Sequence, residues 1–536
     1  MFDRFPQTGS TAEFLGFNFE ALAELIAFVD FSEGFTIAIA EINFAGDADR
    51  VMEAVRNHPR TQDVDLVDVV LDDPGLESVL DAVRARLEQL TIREGFKPVL
   101  VLRGLEQSIG ITGDLSVKVL QNLNYTREQF RSQVPYPIVL VLPRFAVQRL
   151  AAGSRDFWAW ASAIVRFQSA VGSVSQARSD CFESGRMYTN DRLPVKKERL
   201  DLLLRLLEEY RPLVSEDQLL NATARLEVLN ELGNAFDSIS DMRQASKYYQ
   251  QFFALAQAVG DENAQANGLF KVGRLYSRLN ARHQDALENY DQALVLYQSS
   301  KNRRGEANTL YAIGDVLQFL KQSQEALNRY ETAIEIYRQV GNRLGEANTL
   351  YAIGDVLQFL DQRQDALNRY ETAIEIYRQV GARLGEANTL QAIGDLEEDP
   401  KNGLERFNQA MQIYQEIGDQ YSQARILATS LAPAYIKLNQ SYQAKEAYEK
   451  ALQYFGEIDL ESGIEFCKDK LRNINQLSIN PRGTVAPKIG DDRTPRKKKP
   501  LPLWQTVAAI VLILGIGYWQ TTASQRTKPI EIENVK

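Results

Sequence analysis

Side chains able to do redox, metal or nucleophilic chemistry are scarce in this chain. There are two histidines, His58 and His283, and two cysteines, Cys181 and Cys467. The cysteines lie far apart and neither has a CxxC partner. A thiolate zinc site is therefore excluded, and a disulfide framework is not expected. A histidine-based triad would have to use "NHPR" or "ARHQDAL", and both read as surface turns. Glu41, Asp63, Asp65, Asp68 and Glu106 supply carboxylates, but no pair has a spacing that demands acid–base work. We expect no catalytic residue, no metal ligand and no cofactor. A net charge of −10 gives no electrostatic footprint for nucleic acid.

The elements that could position a site fall into distinct regions. Four short apolar runs rich in β-branched residues lie in the first third. They are "GFTIAIAEINF" (Gly34–Phe44), "VDLVDVVL" (Val64–Leu71), "KPVLVLRGLEQ" (Lys97–Gln107) and "YPIVLVLPRF" (Tyr136–Phe145). Helical patterns such as "LESVLDAVRARLEQL" separate them. That alternation predicts an α/β domain with a mostly parallel sheet covered on both faces, over residues 1–195. The third run, "VLVLRGLE", resembles the Walker B strand of signal-transduction ATPases with numerous domains. The resemblance places Arg103 where that family has its magnesium-associated aspartate, while Glu106 is kept. The stretch after the first run, "NFAGDADRVMEAV", has neither the glycine-rich loop nor the lysine that phosphate binding needs. The resemblance thus implies a degenerate NTPase. "DFWAW" (Asp156–Trp160) resembles a segment in such domains of bacterial repeat proteins. It reads as a buried aromatic cluster, with a partner surface as the alternative.

The middle of the chain repeats. Asn302–Gly341 and Asn342–Gly381 differ only at Arg304/Leu344, Lys321/Asp361, Ser323/Arg363 and Glu325/Asp365. Glycines recur at Gly233, Gly273, Gly314, Gly354 and Gly394. A second small residue follows each at Ala245, Ala286, Ala326, Ala366 and Gly403, and then an aromatic at Tyr249, Tyr290, Tyr330, Tyr370 and Phe407. Each unit reads as two amphipathic helices that cannot bury their apolar face alone, so the copies must stack. The small residues let the paired helices approach, and the aromatic is expected to fill the space between units. A degenerate sixth copy carries Ala444, Tyr448 and Ala451. This pattern resembles the tetratricopeptide repeat, with the extra residues of each copy placed in the turn "RQVGNRLGE". An all-α solenoid is expected over residues 196–475, with "KKERLDLLLRLLEEYRPLV" as a helix that caps it.

The resemblance implies that the first helix of each unit lines a groove for peptides or partner proteins. By register from the glycine, the groove positions are Asn308, Tyr311, Asp315, Gln318 and Phe319, then Asn348, Tyr351, Asp355, Gln358 and Phe359. The next unit gives Asn388, Gln391 and Asp395, and the preceding one Asn267, Lys271, Arg274 and Arg278. A line of asparagines recurs, and a carboxamide can pair with a peptide backbone whatever its side chains. One end reads basic and the other acidic, which would fix the direction of a mixed-charge ligand.

After the repeats, residues 476–500 form a Pro-rich basic linker ending "RTPRKKKP". "LPLWQTVAAIVLILGIGYW" (Leu501–Trp519) follows without a charge. A helix over it would be roughly 28 Å long, enough for a membrane span, with residues 520–536 as a short tail. No secretory signal is evident at the N-terminus. The positive flank puts the N-terminal body in the cytoplasm of a single-pass, C-terminally anchored protein. The expected function is a membrane-tethered scaffold that binds protein partners in a solenoid groove. The alternative is a nucleotide-binding switch with a repeat sensor.

Overall fold

The computed structural model describes residues 9–89, 93–110, 117–182, 193–210, 221–279 and 281–479. The chain divides into two compact units, Met1–Gly268 and Leu269–Lys536.

In the first unit, β1 (Ile37–Glu41), β2 (Val64–Val70), β3 (Lys97–Arg103), β4 (Ile138–Leu142) and β5 (Ala161–Arg166) form one sheet of five strands. The order is β2-β3-β4-β1-β5, and every neighbouring pair is parallel. Alternate residues of each strand point to opposite faces. Ile39, Val69, Leu100, Leu102 and Leu140 meet helices Val79–Leu87, Lys118–Gln133 and Arg144–Gly153 on one side. Ala38, Ala40, Leu66, Val99 and Val139 meet Phe19–Phe31 and α1 (Ala45–Arg56) on the other. Burial on both faces is why the strands read as unbroken apolar runs. "DFWAW" joins the core: Phe157 is buried against Phe130, and the Trp160 ring lies 5.7 Å from Phe35. Helix α2 (Leu193–Glu209) then packs on Arg144–Gly153 and on α3 (Ala222–Ser238), which pairs with α4 (Met242–Val259). The division between the units falls inside α5 (Glu262–Ser277).

The second unit is a stack of antiparallel helices. It continues through α6 (His283–Ser299), α7 (Arg303–Phe319), α8 (Ser323–Gln339), α9 (Arg343–Phe359), α10 (Arg363–Val380), α11 (Arg383–Leu396) and α12 (Pro400–Glu416). Helix α13 (Gln420–Ile426) runs through a π-turn at Leu427–Leu431 into α14 (Ala432–Lys437). Pro433 has no N–H to donate back into that turn, which accounts for the wider π geometry. Helices α15 (Ser441–Glu457) and α16 (Glu461–Ile479) complete the stack. Local chemistry fixes the helix starts. Asn302 and Asn342 accept from the backbone N–H of Gly305 and Gly345 at 2.9 and 3.0 Å. Gly341 and Gly381 supply the left-handed turn at φ 69° and 72° between units.

Two glycine–tyrosine contacts per unit hold the stack. A Cβ at Gly314 would lie 2.4 Å from the Tyr330 ring, and one at Gly354 2.4 Å from Tyr370. These contacts close the pair within a unit, so the first aromatic does not fill the space between units as its spacing suggested. A second tyrosine does that. Gly345 rests on Tyr337 and Gly385 on Tyr377, where a Cβ would come within 2.6 and 2.4 Å. Glu346 and Glu386, both buried, add a polar lock: each accepts from the preceding unit's arginine, Arg338 at 2.7 Å and Arg378 at 2.8 Å. His283, expected in a surface turn, is buried and stacks on Phe319 with ring centroids 4.2 Å apart.

Among the described residues no helix is long and apolar enough to cross a membrane. That finding overturns the expectation of a single-pass anchor and of a membrane location. The segment on which it rested, residues 501–519, lies outside the described residues.

If the inter-unit ring contact carries the stack, Gly345→Ala forces the buried Tyr337 ring to shift. Overpacking of this kind costs about 1–3 kcal/mol. The melting temperature, followed by circular dichroism at 222 nm, is expected to fall by about 2–10 °C. A shift within 1 °C would show that the ring yields freely.

Candidate functional site

A cavity of about 500 Å³ opens in the second unit between the first helices of successive pairs. It is lined by Arg274 from α5, by Arg304, Asn308, Tyr311, Asp315 and Phe319 from α7, and by Leu344 and Asn348 from α9. The glycine–tyrosine packing builds its floor. Each tyrosine ring is buried beneath the first helix, and its hydroxyl emerges at the groove side. Tyr337 donates to Asn308 Oδ1 at 2.7 Å, Tyr377 to Asn348 Oδ1 at 2.8 Å, and Tyr414 to Asn388 Oδ1 at 2.7 Å. With each oxygen anchored, the amide N–H₂ groups are left as donors of fixed orientation. Tyr330 donates to Asp315 at 2.6 Å and Tyr370 to Asp355 at 2.5 Å, and each also reaches a glutamine, Gln318 or Gln358, at 3.1 Å. Tyr311 and Tyr351 lie against Tyr330 and Tyr370 with the rings tilted by 49° and 46° and centroids 5.6 and 5.5 Å apart.

The expected positions separate as follows. Asn308, Tyr311, Asp315, Asn348 and Arg274 meet around or beside the cavity, and Tyr351, Asp355, Asn388 and Asp395 continue the same line on α9 and α11. Lys271 is half-buried on α5. Asn267 falls in the first unit. Gln391 is buried and donates to Ser430 at 2.9 Å. Arg425 was not anticipated. From α13 it donates to Asn388 at 3.2 Å and to Tyr414 at 3.3 Å, so a cation stands beside the end that reads as acidic. Its copy is too degenerate for the register to be carried across.

Three groove carboxyls are electrostatically unusual. Asp315, Asp355 and Asp395 are each pushed up to about 7, chiefly because surrounding protein atoms displace solvent. The tyrosine hydroxyl pulls back in the first two, and Arg425 in the third. Asp315 and Asp395 are exposed on the groove side and Asp355 is half-buried, so water screens one face of each.

The other place where a ligand could sit is the crevice beyond the carboxyl ends of the parallel strands. Here it is filled by the chain itself. Only Ile42, Asn43 and Phe44 link β1 to α1, too short a connection to wrap a phosphate. Arg205 of α2 donates to the carbonyl of Asn43 and reaches Glu106 at 3.5 Å. Glu209 accepts from the Asn43 side chain and from Ser169. Glu208 pairs with Arg144 at 3.3 Å. Arg103 pairs with Asp49 and Asp68 at 2.5 and 3.0 Å, so it is held as a structural cation.

The comparisons with known proteins agree with the repeat architecture. Models described as tetratricopeptide repeat match residues 265–339, 305–379 and 429–455, so the chain carries tetratricopeptide repeats over that region. No curated protein shows a significant match. Among solved structures, a signal-transduction ATPase with numerous domains and a tetratricopeptide repeat sensor from Pyrococcus horikoshii is 12% identical. The match covers 94% of this chain and 95% of that one, with a TM-score of 0.35. A Rap protein complexed with competence and sporulation factor is 17% identical over 58% of this chain and 99% of that one, with a TM-score of 0.35. Aspartyl phosphate phosphatase F from Bacillus subtilis is 14% identical over 72% of this chain and 99% of that one, with a TM-score of 0.36. At these scores no activity is inferred from the likeness.

Two outcomes follow. The folded carboxyl of Asp355 takes up its proton near pH 7, and the unfolded one near ~4. Between those values the folded state holds more protons, so stability falls as pH rises through that window. Asp355→Asn keeps an acceptor for Tyr370. Its melting temperature should match the parent at pH 4 and exceed it at pH 8; equal melting at both would refute the assignment. For the crevice, the full chain should show no saturable binding of ATP or GTP with magnesium by calorimetry. Binding that Glu106→Ala abolishes would show that α2 does not fill the site.

Proposed function

We propose that this protein is a scaffold that binds extended peptide segments of partner proteins in the groove of its second unit. The observation that supports this most is the row of carboxamides at Asn308, Asn348 and Asn388, each held by a tyrosine hydroxyl with its N–H₂ group left to donate. Asn308, Asn348 and Asn388 recur at the same register of α7, α9 and α11, the first helices of successive units. One peptide carbonyl per unit could therefore be met without regard to side chains. Arg274 and Arg304 at one end, Asp355 in the middle and Arg425 beyond it would then select the charge pattern of the segment. The first unit serves as a second interaction module, its strand-end crevice closed by its own helix.

The test is selection of a displayed random-peptide library on the full chain, followed by titration of the enriched peptide. In Asn308→Ala/Asn348→Ala/Asn388→Ala three donors are lost, each worth about 0.5–1.5 kcal/mol. Affinity should fall by roughly one to three decades. Melting should fall by only a few degrees, since three tyrosine hydroxyls lose a partner. Unchanged affinity in a folded variant would move the working surface elsewhere.

A further inference from the structure

We propose that the segment bound in the groove carries an acidic side chain that pairs with Arg304, and that this pair sets where along the solenoid the segment lies. The inference rests on the peptide reading above and adds the chemistry of its ligand. Arg304 stands exposed near the start of α7 and borders the cavity of about 500 Å³. Among the described residues it makes no ion pair. Its neighbour Arg303 is committed instead: it pairs with Glu306 and reaches Gln339 at 3.0 Å. Arg343 and Arg383 repeat that commitment, to Glu346 and Glu386. The first arginine of each of these helices is thus part of the packing, and Arg304 is a cation added beside it.

The duplication isolates what this charge can do. The two copies share Asn308 and Asn348, Tyr311 and Tyr351, and Asp315 and Asp355. Of the four positions at which they differ, 304 and 344 are the pair that lines the cavity. A ligand acid placed over Arg304 would meet Leu344 if the segment moved on by one copy. A second groove position changes in the same sense: Arg274 follows Gly273 in α5, and Asp315 follows Gly314 in α7. Arg274 has protein partners of its own, so it contributes its field rather than a free donor. Asp315 is the one acid among the described lining residues, and it accepts from Tyr330 at 2.6 Å. A ligand acid therefore meets a cation in the first copy and an aliphatic side chain in the second. Arginine bonds a carboxylate more strongly than neutral groups bond each other. The asparagine row offers neutral donors that are alike in each copy, so it cannot tell the copies apart.

The probe is the peptide enriched from a displayed random library on the full chain, synthesised with each Asp or Glu changed in turn to Asn or Gln. One such change should weaken binding roughly three- to fivefold, the upper range for an exposed pair. Arg304→Leu should cost the same and make the parent and changed peptides equal in affinity. Leucine is what the second copy carries at that position, so the helix should melt as before. In Arg304→Leu/Leu344→Arg the preference for the acid should return, with the segment moved by one copy. A benzophenone on the peptide should then crosslink to α9 where it had crosslinked to α7, the two fragments being told apart by Lys321 and Asp361. Enriched peptides without an acid, or crosslinks that stay on α7 in the exchanged variant, would overturn the proposal. Affinity lost in Asn308→Ala/Asn348→Ala/Asn388→Ala but unaffected by the acid or by Arg304→Leu would overturn it and leave the groove reading standing. Unchanged affinity in both variants would overturn both.

Discussion

A tyrosine ring lying flat against a glycine is the contact on which the second unit depends. The ring needs the space of a missing side chain, and the glycine's helix needs the ring to bury its backbone. Because the ring is long, burying it carries the hydroxyl through to the far side of the first helix. There it meets Asp315 or Asn308, which belong to the groove. The group that stabilises the stack therefore also orients the candidate binding side chains. In the proposed reading, packing and recognition are two ends of one residue.

The same economy explains why the groove is polar without being open-ended in its hydrogen bonding. Each asparagine oxygen, and the carboxyls of Asp315 and Asp355, are already engaged from below by a tyrosine hydroxyl. What faces outward is a set of donors and raised carboxyls held in place before any ligand arrives. Such a surface loses little freedom on binding. The first unit shows the opposite arrangement. Its strand ends are engaged by α2 through Arg205, Glu208 and Glu209, so the usual ligand crevice of a parallel sheet has become an internal seam.

Much of this was legible in the sequence, and the reasons for the rest are physical. Gly314 and Tyr330 could be singled out because they recur at a fixed offset, but that offset does not say whether the ring packs within a helix pair or between units, and it packs within the pair. The contact of Gly345 with Tyr337 was missed because a glycine just after a turn reads as a turn residue, although it packs as a helical one. The apolar runs of the sheet were readable because both faces are buried. The pairing of Arg205 with Glu106 was not, since the two are 99 residues apart and no local periodicity relates them. His283 read as a surface residue because its neighbours are polar, and only the stack with Phe319 shows why it is buried. Arg425 sits in a copy whose proline and π-turn erase the register. The uncharged run at residues 501–519 lies outside the described residues, and no described helix is long and apolar enough to cross a membrane.

The near-identity of Asn302–Gly341 and Asn342–Gly381 has a statistical consequence. A ligand that reads a single unit finds two almost equivalent seats, and the doubled multiplicity alone favours occupancy by RT ln 2, about 0.4 kcal/mol. A ligand that reads two units meets adjacent frames shifted by one copy, and shuttling between them blurs any fixed alignment. One groove-lining difference lifts that degeneracy: Arg304 in the first copy is Leu344 in the second, and both border the same cavity. A single charge thus turns a sliding track into a track with a stop.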